Sequence, residues 1–177
     1  MHPFDDGNGR TGRALVQVIL RRRGLAPSYV PPISVMLARH KETYIRGLIM
    51  FRDGDLDGWL AIFADAAASA AGLAQRYLRQ VADLQEGWRK QLRAATPPPR
   101  SDAAAWAIID VLPAHPVITV NVAMAATSRT RPAIANAVQQ LTDAGVLVPL
   151  SESAKSRAWE APDLLESIVA LEEGSFI

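Results

Sequence analysis

The chain opens with a glycine-rich turn that runs directly into a predicted helix, and this segment sets the strongest limits on its local fold. Residues 2–13 read HPFDDGNGRTGR, and an apolar stretch, residues 14–20, follows. Gly7 and Gly9 permit backbone conformations in which consecutive amides converge on an anion at the helix start. Three arginines and then Gly24 predict where the helix ends. Because this helix is apolar nearly all round, we expect it to be central in a helical bundle.

The same segment carries the groups that a polyphosphate and a metal ion require. Arg10 and Arg13 are three residues apart, so they share one helix face and can both contact phosphate oxygens. Asp6 supplies a carboxylate oxygen of the kind that Mg²⁺ takes when phosphates supply its other ligands. Histidine changes charge near neutral pH, so His2 suits a proton acceptor for an attacking hydroxyl. The layout predicts phosphoryl or nucleotidyl transfer, although the tetrapeptide DGNG alone is more often a plain loop.

The longer string matches, at every specified position, the motif H-x-F-x-[D/E]-G-N-G-R-x-x-R, and in this the chain resembles the Fic (filamentation induced by cyclic AMP) family, adenylyltransferase type. The resemblance implies a helical core that binds ATP with Mg²⁺ and transfers AMP to a Ser, Thr or Tyr hydroxyl of a target protein. It also implies roles for the motif residues: His2 as general base, Asp6 as magnesium ligand, Gly7, Asn8 and Gly9 on the α-phosphate, Arg10 and Arg13 on the other phosphates, and Phe4, through a buried ring, as loop anchor.

The resemblance continues in the middle of the chain. Tyr44, the turn at residues 53–55 and Trp59 stand where family members have a tyrosine pair, a Gly-Asp turn and an aromatic helix start. The second tyrosine of the family is Ile45 here, which leaves the contact with the adenine base open. From the residues themselves, Asp55 predicts the N-cap of a long helix that follows it.

Two family elements have no counterpart in the sequence. Glu172-Glu173-Gly174 does not match the inhibitory motif [S/T]-x-x-x-E-[G/N], because Ile168 and Val169 stand where Ser or Thr is required. The helices and β-hairpin flap that precede the motif histidine in the family are also missing. The expectation is therefore a fragment or a degenerate product that transfers AMP weakly or not at all. The rival hypothesis is a non-catalytic DNA- or protein-binding protein with a vestigial motif.

A proline-rich linker, residues 96–101, separates two predicted domains because it cannot continue a helix. Residues 1–95 are predicted to be the C-terminal half of a Fic core, and residues 102–177 resemble a winged helix-turn-helix. The predicted elements of the second domain are a helix at 103–112, a strand at 117–120, a helix at 121–126 capped by Asn121, a helix at 134–144, a hairpin of 146–150 and 157–160, and a last helix at 163–173. Pro132 suits the first turn of the third of these helices, and Gly145 closes it.

The charge of the second domain decides what it is expected to bind. Residues 101–177 carry four Lys and Arg against nine Asp and Glu, a net charge of −5, which argues against strong DNA binding. The four cations nevertheless cluster at the start of the predicted recognition helix and around the wing. The residues predicted to contact DNA or a protein partner are Ser128, Arg129, Arg131, Lys155 and Arg157. We expect weak, salt-sensitive DNA contact at best and favour a protein partner.

Composition excludes several other classes of protein. Hydrophobic residues make up 49% of the 177 residues, which allows a real core in a mainly α chain. The chain has no cysteine, so disulfides and thiolate metal sites are excluded. Apolar runs are broken by charged residues and none reaches the length of a membrane span, so we expect no membrane contact and a cytoplasmic protein. A homodimer through the apolar stripe of residues 73–92 is the alternative to an intramolecular core.

Overall fold

The structure is a computed structural model that describes residues 3–26, 32–150 and 157–173. It is mainly helical, as the sequence predicts, and its strands form one small sheet. The chain divides into two compact units, Met1–Arg76 and Tyr77–Ile177. The division falls within a long helix, about twenty residues before the predicted linker at 96–101.

The first unit is built from helices alone in the part of the chain that the structure describes. Its helices are α1 (Asn8–Arg22), α2 (Ile33–Arg39), α3 (Lys41–Arg52) and α4 (Leu56–Ala94), and α4 continues into the second unit. Asp55 caps α4 as predicted, because its Oδ1 accepts a hydrogen bond of 2.9 Å from the Gly58 amide. The residues after α1 and α3, Gly24 and Gly54, adopt positive φ and close the two helix ends.

The core of the first unit lies between α2, α3 and α4. Side chains of Ile33, Met36, Leu37 and Leu73 are buried there. No residue of α1 is buried, and its Leu15, Val18 and Ile19 side chains are about half exposed. The expectation of a central α1 is therefore wrong for the described residues, because an apolar helix is central only when neighbours cover every side of it.

The second unit has the larger core. After α4 it contains α5 (Ala104–Val111), a 3₁₀ turn (Leu112–Ala114), β1 (Val117–Thr119), α6 (Val120–Thr127), α7 (Arg131–Asp143), β2 (Val148–Pro149), β3 (Ala158–Glu160) and α8 (Pro162–Glu173). The strands form an antiparallel sheet in the order β1-β3-β2, with Ile118 opposite Trp159. Fully buried side chains from α5, α7 and α8 meet the sheet, among them Ile108, Ile134 and Leu164.

The C-terminal end of α4 packs into this same core, which explains why the units divide before the proline-rich stretch. Trp88 and Leu92 are buried in it. Trp88 also donates an indole hydrogen bond of 3.2 Å to Asp163, and Gln80 donates one of 2.8 Å to the buried Ser167. That residues 96–101 are a linker between two domains stays a prediction.

The order of helices and strands after residue 102 agrees with the prediction, but one cap differs. Thr119, and not Asn121, caps α6, since its hydroxyl accepts a 3.3 Å hydrogen bond from the Val122 amide. The helix begins earlier because strand β1 ends at Thr119 with extended backbone, which is the geometry of an N-cap. That this unit is a winged helix-turn-helix stays a prediction.

One helix differs from the expectation about membranes. By length and composition alone, α4 is long and apolar enough to cross a bilayer, with a mean hydropathy of 1.2 over its best window. The sequence expectation that no stretch reaches this length is therefore wrong. A single helix of this kind is weak evidence, because the core helix of a soluble protein passes the same test. Absence of membrane contact and a cytoplasmic location stay predictions.

Candidate functional site

The N-terminus of α1 is open to solvent and its first amides point outward. Gly7 stands at the N-cap with φ 79° and ψ 7°, a left-handed conformation that favours glycine. The first helical hydrogen bond runs from the Thr11 amide to the Gly7 carbonyl at 2.9 Å. The amides of residues 8–10 therefore have no partner within the helix, and no side chain among the described residues caps it. Such a helix start attracts an anion.

The Asn8 side chain closes the loop that precedes the helix. Its Nδ2 donates a hydrogen bond of 2.7 Å to the Phe4 carbonyl, and its Oδ1 accepts one of 3.1 Å from the Phe4 amide. The Asn8 side-chain amide thus hydrogen-bonds both the backbone N–H and the backbone C=O of Phe4, four positions earlier. These two bonds hold the backbone of residues 4–8 in a closed turn.

Asp6 connects this turn to the first arginine. Its Oδ1 accepts a hydrogen bond of 2.6 Å from the Gly7 amide, and its Oδ2 forms an ion pair of 3.0 Å with Arg10 Nη2. The two side chains are 92% and 74% exposed, so water screens the pair and its contribution is at most about 1 kcal/mol. A ligand with higher charge density can displace either partner from it.

The turn and the helix start surround one open pocket of about 510 Å³. Its lining consists of Phe4, Asp5, Asp6, Gly7, Asn8, Gly9, Arg10 and Arg13. Arg13 lies close to Gly9, because a Cβ added at that glycine would stand 3.3 Å from Arg13 Nη1. The pocket therefore combines backbone amides, two guanidinium groups and two carboxylates, which suits a polyphosphate that is bound together with a metal ion.

Comparison with known proteins agrees with this chemistry. Residues 1–20 match the model of the Fic/DOC family. We call this stretch, which is similar to the Fic/DOC family, the Fic segment. Proteins named protein adenylyltransferase Fic from Drosophila grimshawi, Drosophila virilis and Drosophila melanogaster are 31% identical to this chain over 86 residues. The alignment covers 49% of this chain and 16% of each relative, so the activity of the whole relatives comes to this chain only as a proposal.

Most of the predicted residues of this Fic segment, residues 1–20, meet in the pocket. His2 lies outside the described residues, and its role stays a prediction. Phe4 is in the pocket wall and the residue is 52% exposed, so the described structure does not show the buried ring that was expected, and the role of Phe4 as loop anchor stays a prediction. The loop is held instead through the Phe4 backbone by Asn8. The sequence does contain a signal for this contact and for the pairing of Asp6 with Arg10, since both are spaced by four residues.

Asp5 and Asp6 both line the pocket, and Asp6 is the carboxylate predicted to take a magnesium ion. In the part of the chain that the structure describes, no group of three or more His, Asp or Glu side chains could hold a metal. Mg²⁺ that is bound together with a nucleotide needs only one or two protein carboxylates, because phosphates and waters complete its shell. Asp6, with both oxygens near the surface of the pocket, fits that requirement. The magnesium ion itself stays a prediction.

The second predicted set of contact residues lies in the other unit. Ser128 joins α6 to α7 with φ 55°, and Arg129 and Arg131 follow it on the surface. Arg131 Nη2 donates a hydrogen bond of 2.8 Å to Asn121 Oδ1 across the turn. Arg157 is exposed immediately before β3, whereas Lys155 lies outside the described residues.

Proposed function

We propose that the Fic segment binds ATP with Mg²⁺ and serves a protein adenylyltransferase reaction, in which AMP passes from ATP to a hydroxyl side chain of a target protein. The observation that carries this proposal is the single pocket in which the open start of α1, Asp6, Arg10 and Arg13 all meet. The Fic adenylyltransferases that resemble half of the chain support the choice of nucleotide and of acceptor.

The proposed roles follow from the charge of the reacting groups. The acceptor oxygen attacks the α-phosphorus, the bond to the β-phosphate oxygen breaks, and the acceptor proton passes to His2. The helix N-terminus and its free amides would hold the α-phosphate, and the two arginines would carry the negative charge of the departing pyrophosphate. When bound, Mg²⁺ at Asp6 neutralises phosphate charge.

Binding of the nucleotide requires Arg10 and Asp6 to exchange partners. In the described structure they neutralise one another. A triphosphate offers Arg10 more negative charge than one carboxylate does, and its metal offers Asp6 a divalent cation. Because the existing pair is exposed and weak, the exchange costs little.

Calorimetry with ATP, in the presence and the absence of Mg²⁺, tests the nucleotide site. We expect metal-dependent binding that Arg10→Ala weakens by about tenfold or more, since a charge-assisted contact contributes roughly 1.5–3 kcal/mol. Arg22→Ala is the matched control, because Arg22 is an exposed arginine at the other end of α1. Equal losses in both variants, or no binding by folded protein, would refute the site.

Transfer is tested separately with ATP labelled at the α-phosphate. His2→Ala should retain ATP binding and lose the transfer of label to protein, because the base acts on the acceptor and not on the nucleotide. We expect at most weak transfer of label by this chain and strong transfer when a β-hairpin flap precedes the motif. Binding of MgATP without transfer even then would favour the rival hypothesis of a vestigial motif.

A further inference from the structure

The outer surface of α6 and α7 carries a single acid, Asp143, which is the last residue of α7. Residues 111–142 contain no Asp or Glu, although residues 77–177 as a whole have nine Lys and Arg against eleven Asp and Glu, a net charge of −2. The exposed residues of this surface include Ala125, Arg129, Arg131, Ala135, Asn136 and Gln139, and we call these six residues the helix-turn-helix face. The opposite sides of the same helices, including Ile134 and Leu141, are buried in the core.

The helix-turn-helix face also lacks large apolar side chains. Within the described range 118–147, no large hydrophobic side chain is exposed. The next exposed large hydrophobic residue along the chain is Val148. A protein partner that docks on a helix face anchors on buried aromatic or aliphatic side chains. A surface of alanines, amides and arginines instead suits a polyanion, because small residues allow close approach and the cations meet phosphates.

The geometry of α7 points to a duplex. The helix has thirteen residues and is therefore about 20 Å long, a size that the major groove of DNA admits. Asn136 and Gln139 are three residues apart on its exposed side, where amides can meet base edges. Gln139 donates a hydrogen bond of 2.7 Å to Asp143, which orients its amide. Asn121 holds the guanidinium of Arg131 over the turn.

We propose that the unit of residues 77–177 binds double-stranded DNA through the helix-turn-helix face, with α7 in the major groove and Arg129 and Arg131 on the phosphate backbone. This site is independent of the nucleotide pocket. The compact unit of residues 77–177 includes the end of α4 and has a net charge of −2. This charge is smaller than the −5 of residues 101–177 that argued against DNA. With few cations on the face, the binding is of modest affinity and strongly dependent on salt.

The test is fluorescence anisotropy of the full chain with a mixed-sequence duplex of about 20 base pairs, titrated from about 50 to about 200 mM salt. The variant Arg129→Ala/Arg131→Ala should weaken binding by about tenfold or more and lower the salt slope by about 2, because each lost phosphate contact removes roughly 0.9. Asn136→Ala should reduce the preference among sequences while leaving the salt slope unchanged.

Two matched controls carry the same loss of charge elsewhere. Arg79→Ala/Lys90→Ala removes two exposed cations from α4 in the same unit, and Arg10→Ala/Arg13→Ala removes two from the nucleotide pocket. Both should bind DNA within about twofold of the unchanged chain. Equal weakening in a control, or absence of DNA binding at the lowest salt by protein that circular dichroism shows to be folded, overturns the proposal and leaves a protein partner.

Discussion

Single side chains hold the motif loop in shape without any burial. Asn8 binds both backbone groups of Phe4, and Asp6 binds one amide and one guanidinium. Gly7 and Asn8 are half-buried and the other groups are exposed, so each contact is worth little for global stability. Their effect is local, because they preorganise the amides and charges that a ligand meets.

Asn8→Ala should weaken MgATP binding by roughly fivefold to tenfold without changing global stability. The change removes two exposed hydrogen bonds, worth about 0.5–1.5 kcal/mol each, from the closed loop. Calorimetry measures the affinity, and amide hydrogen exchange at Phe4 should become faster. Asn136→Ala, an exposed asparagine in the other unit, is the control. Unchanged exchange at Phe4 would contradict the positioning role of Asn8.

Gly7→Ala should also weaken nucleotide binding, by about tenfold, because its φ of 79° costs an L-residue roughly 1–2 kcal/mol. The cause is conformational and not steric, since an added Cβ would meet Arg10 atoms only at 3.6 Å or beyond. Gly12→Ala provides the contrast, because nothing lies within 4 Å of its Cβ position and its backbone is helical. That control should stabilise α1 by up to about 1 kcal/mol and spare binding. Similar losses of affinity in the two variants would be the contrary result.

Between elements, one close approach in the first unit is the contact of α3 with α4 at Gly47. A Cβ at this position would stand 2.7 Å from Trp59 Cε3 and 3.2 Å from Ile62 Cδ1. Tyr44 and Phe63 flank the same tryptophan, with ring centroids 6.1 and 6.0 Å away. The aromatic cluster that the sequence relates to the nucleotide base is therefore also the packing contact between two helices.

Gly47→Ala should destabilise the first unit by about 1–3 kcal/mol, because the methyl group overpacks a contact that Trp59 already fills. The matched control is Gly72→Ala in α4, whose Cβ would meet only Arg76 Nη1 at an ordinary 3.7 Å. By helix propensity that change should be neutral or stabilising. Urea unfolding followed by circular dichroism gives both values. Equal midpoints for the two variants would show that α3 and α4 separate easily.

At the scale of the whole molecule, the two units differ in how much apolar surface they bury. The second unit encloses an almost continuous core, and many of its side chains have no exposed surface. In the first unit, α1 has no buried residue and keeps Leu15, Val18 and Ile19 about half exposed. Local stability follows burial, so the two parts should open with different free energies.

Hydrogen exchange should therefore show much slower exchange in α5 and α7 than in α1, by about a hundredfold or more. The exchange is measured by mass spectrometry at two protein concentrations, so that protection by a second copy of the chain can be recognised. Protection of α1 that equals that of α7 at both concentrations would contradict the burial seen in the described residues. Protection that appears only at high concentration would instead mean that a second copy covers the apolar side chains of α1.

Much of the secondary structure follows from local signals in the sequence. Capping by Asp55 and the stops at Gly24 and Gly145 occur as predicted, since caps and left-handed glycines act within a few residues. Asn121 is not the cap of α6, because β1 ends at Thr119, one residue before the predicted end of the strand. Element ends depend on how a neighbouring strand pairs, and pairing of β1 with the distant β3 is not a local signal.

By itself, the sequence determined the chemistry of the motif, because the residue types and their spacing on a turn and a helix place amides, arginines and a carboxylate together within one span of the chain. Only the tertiary structure decided which side chains are covered. It left Phe4 and α1 exposed, and it joined the end of α4, through Trp88, to the C-terminal core. Burial depends on contacts between segments far apart in the chain, and local periodicity records only that a face is apolar, not what packs against it.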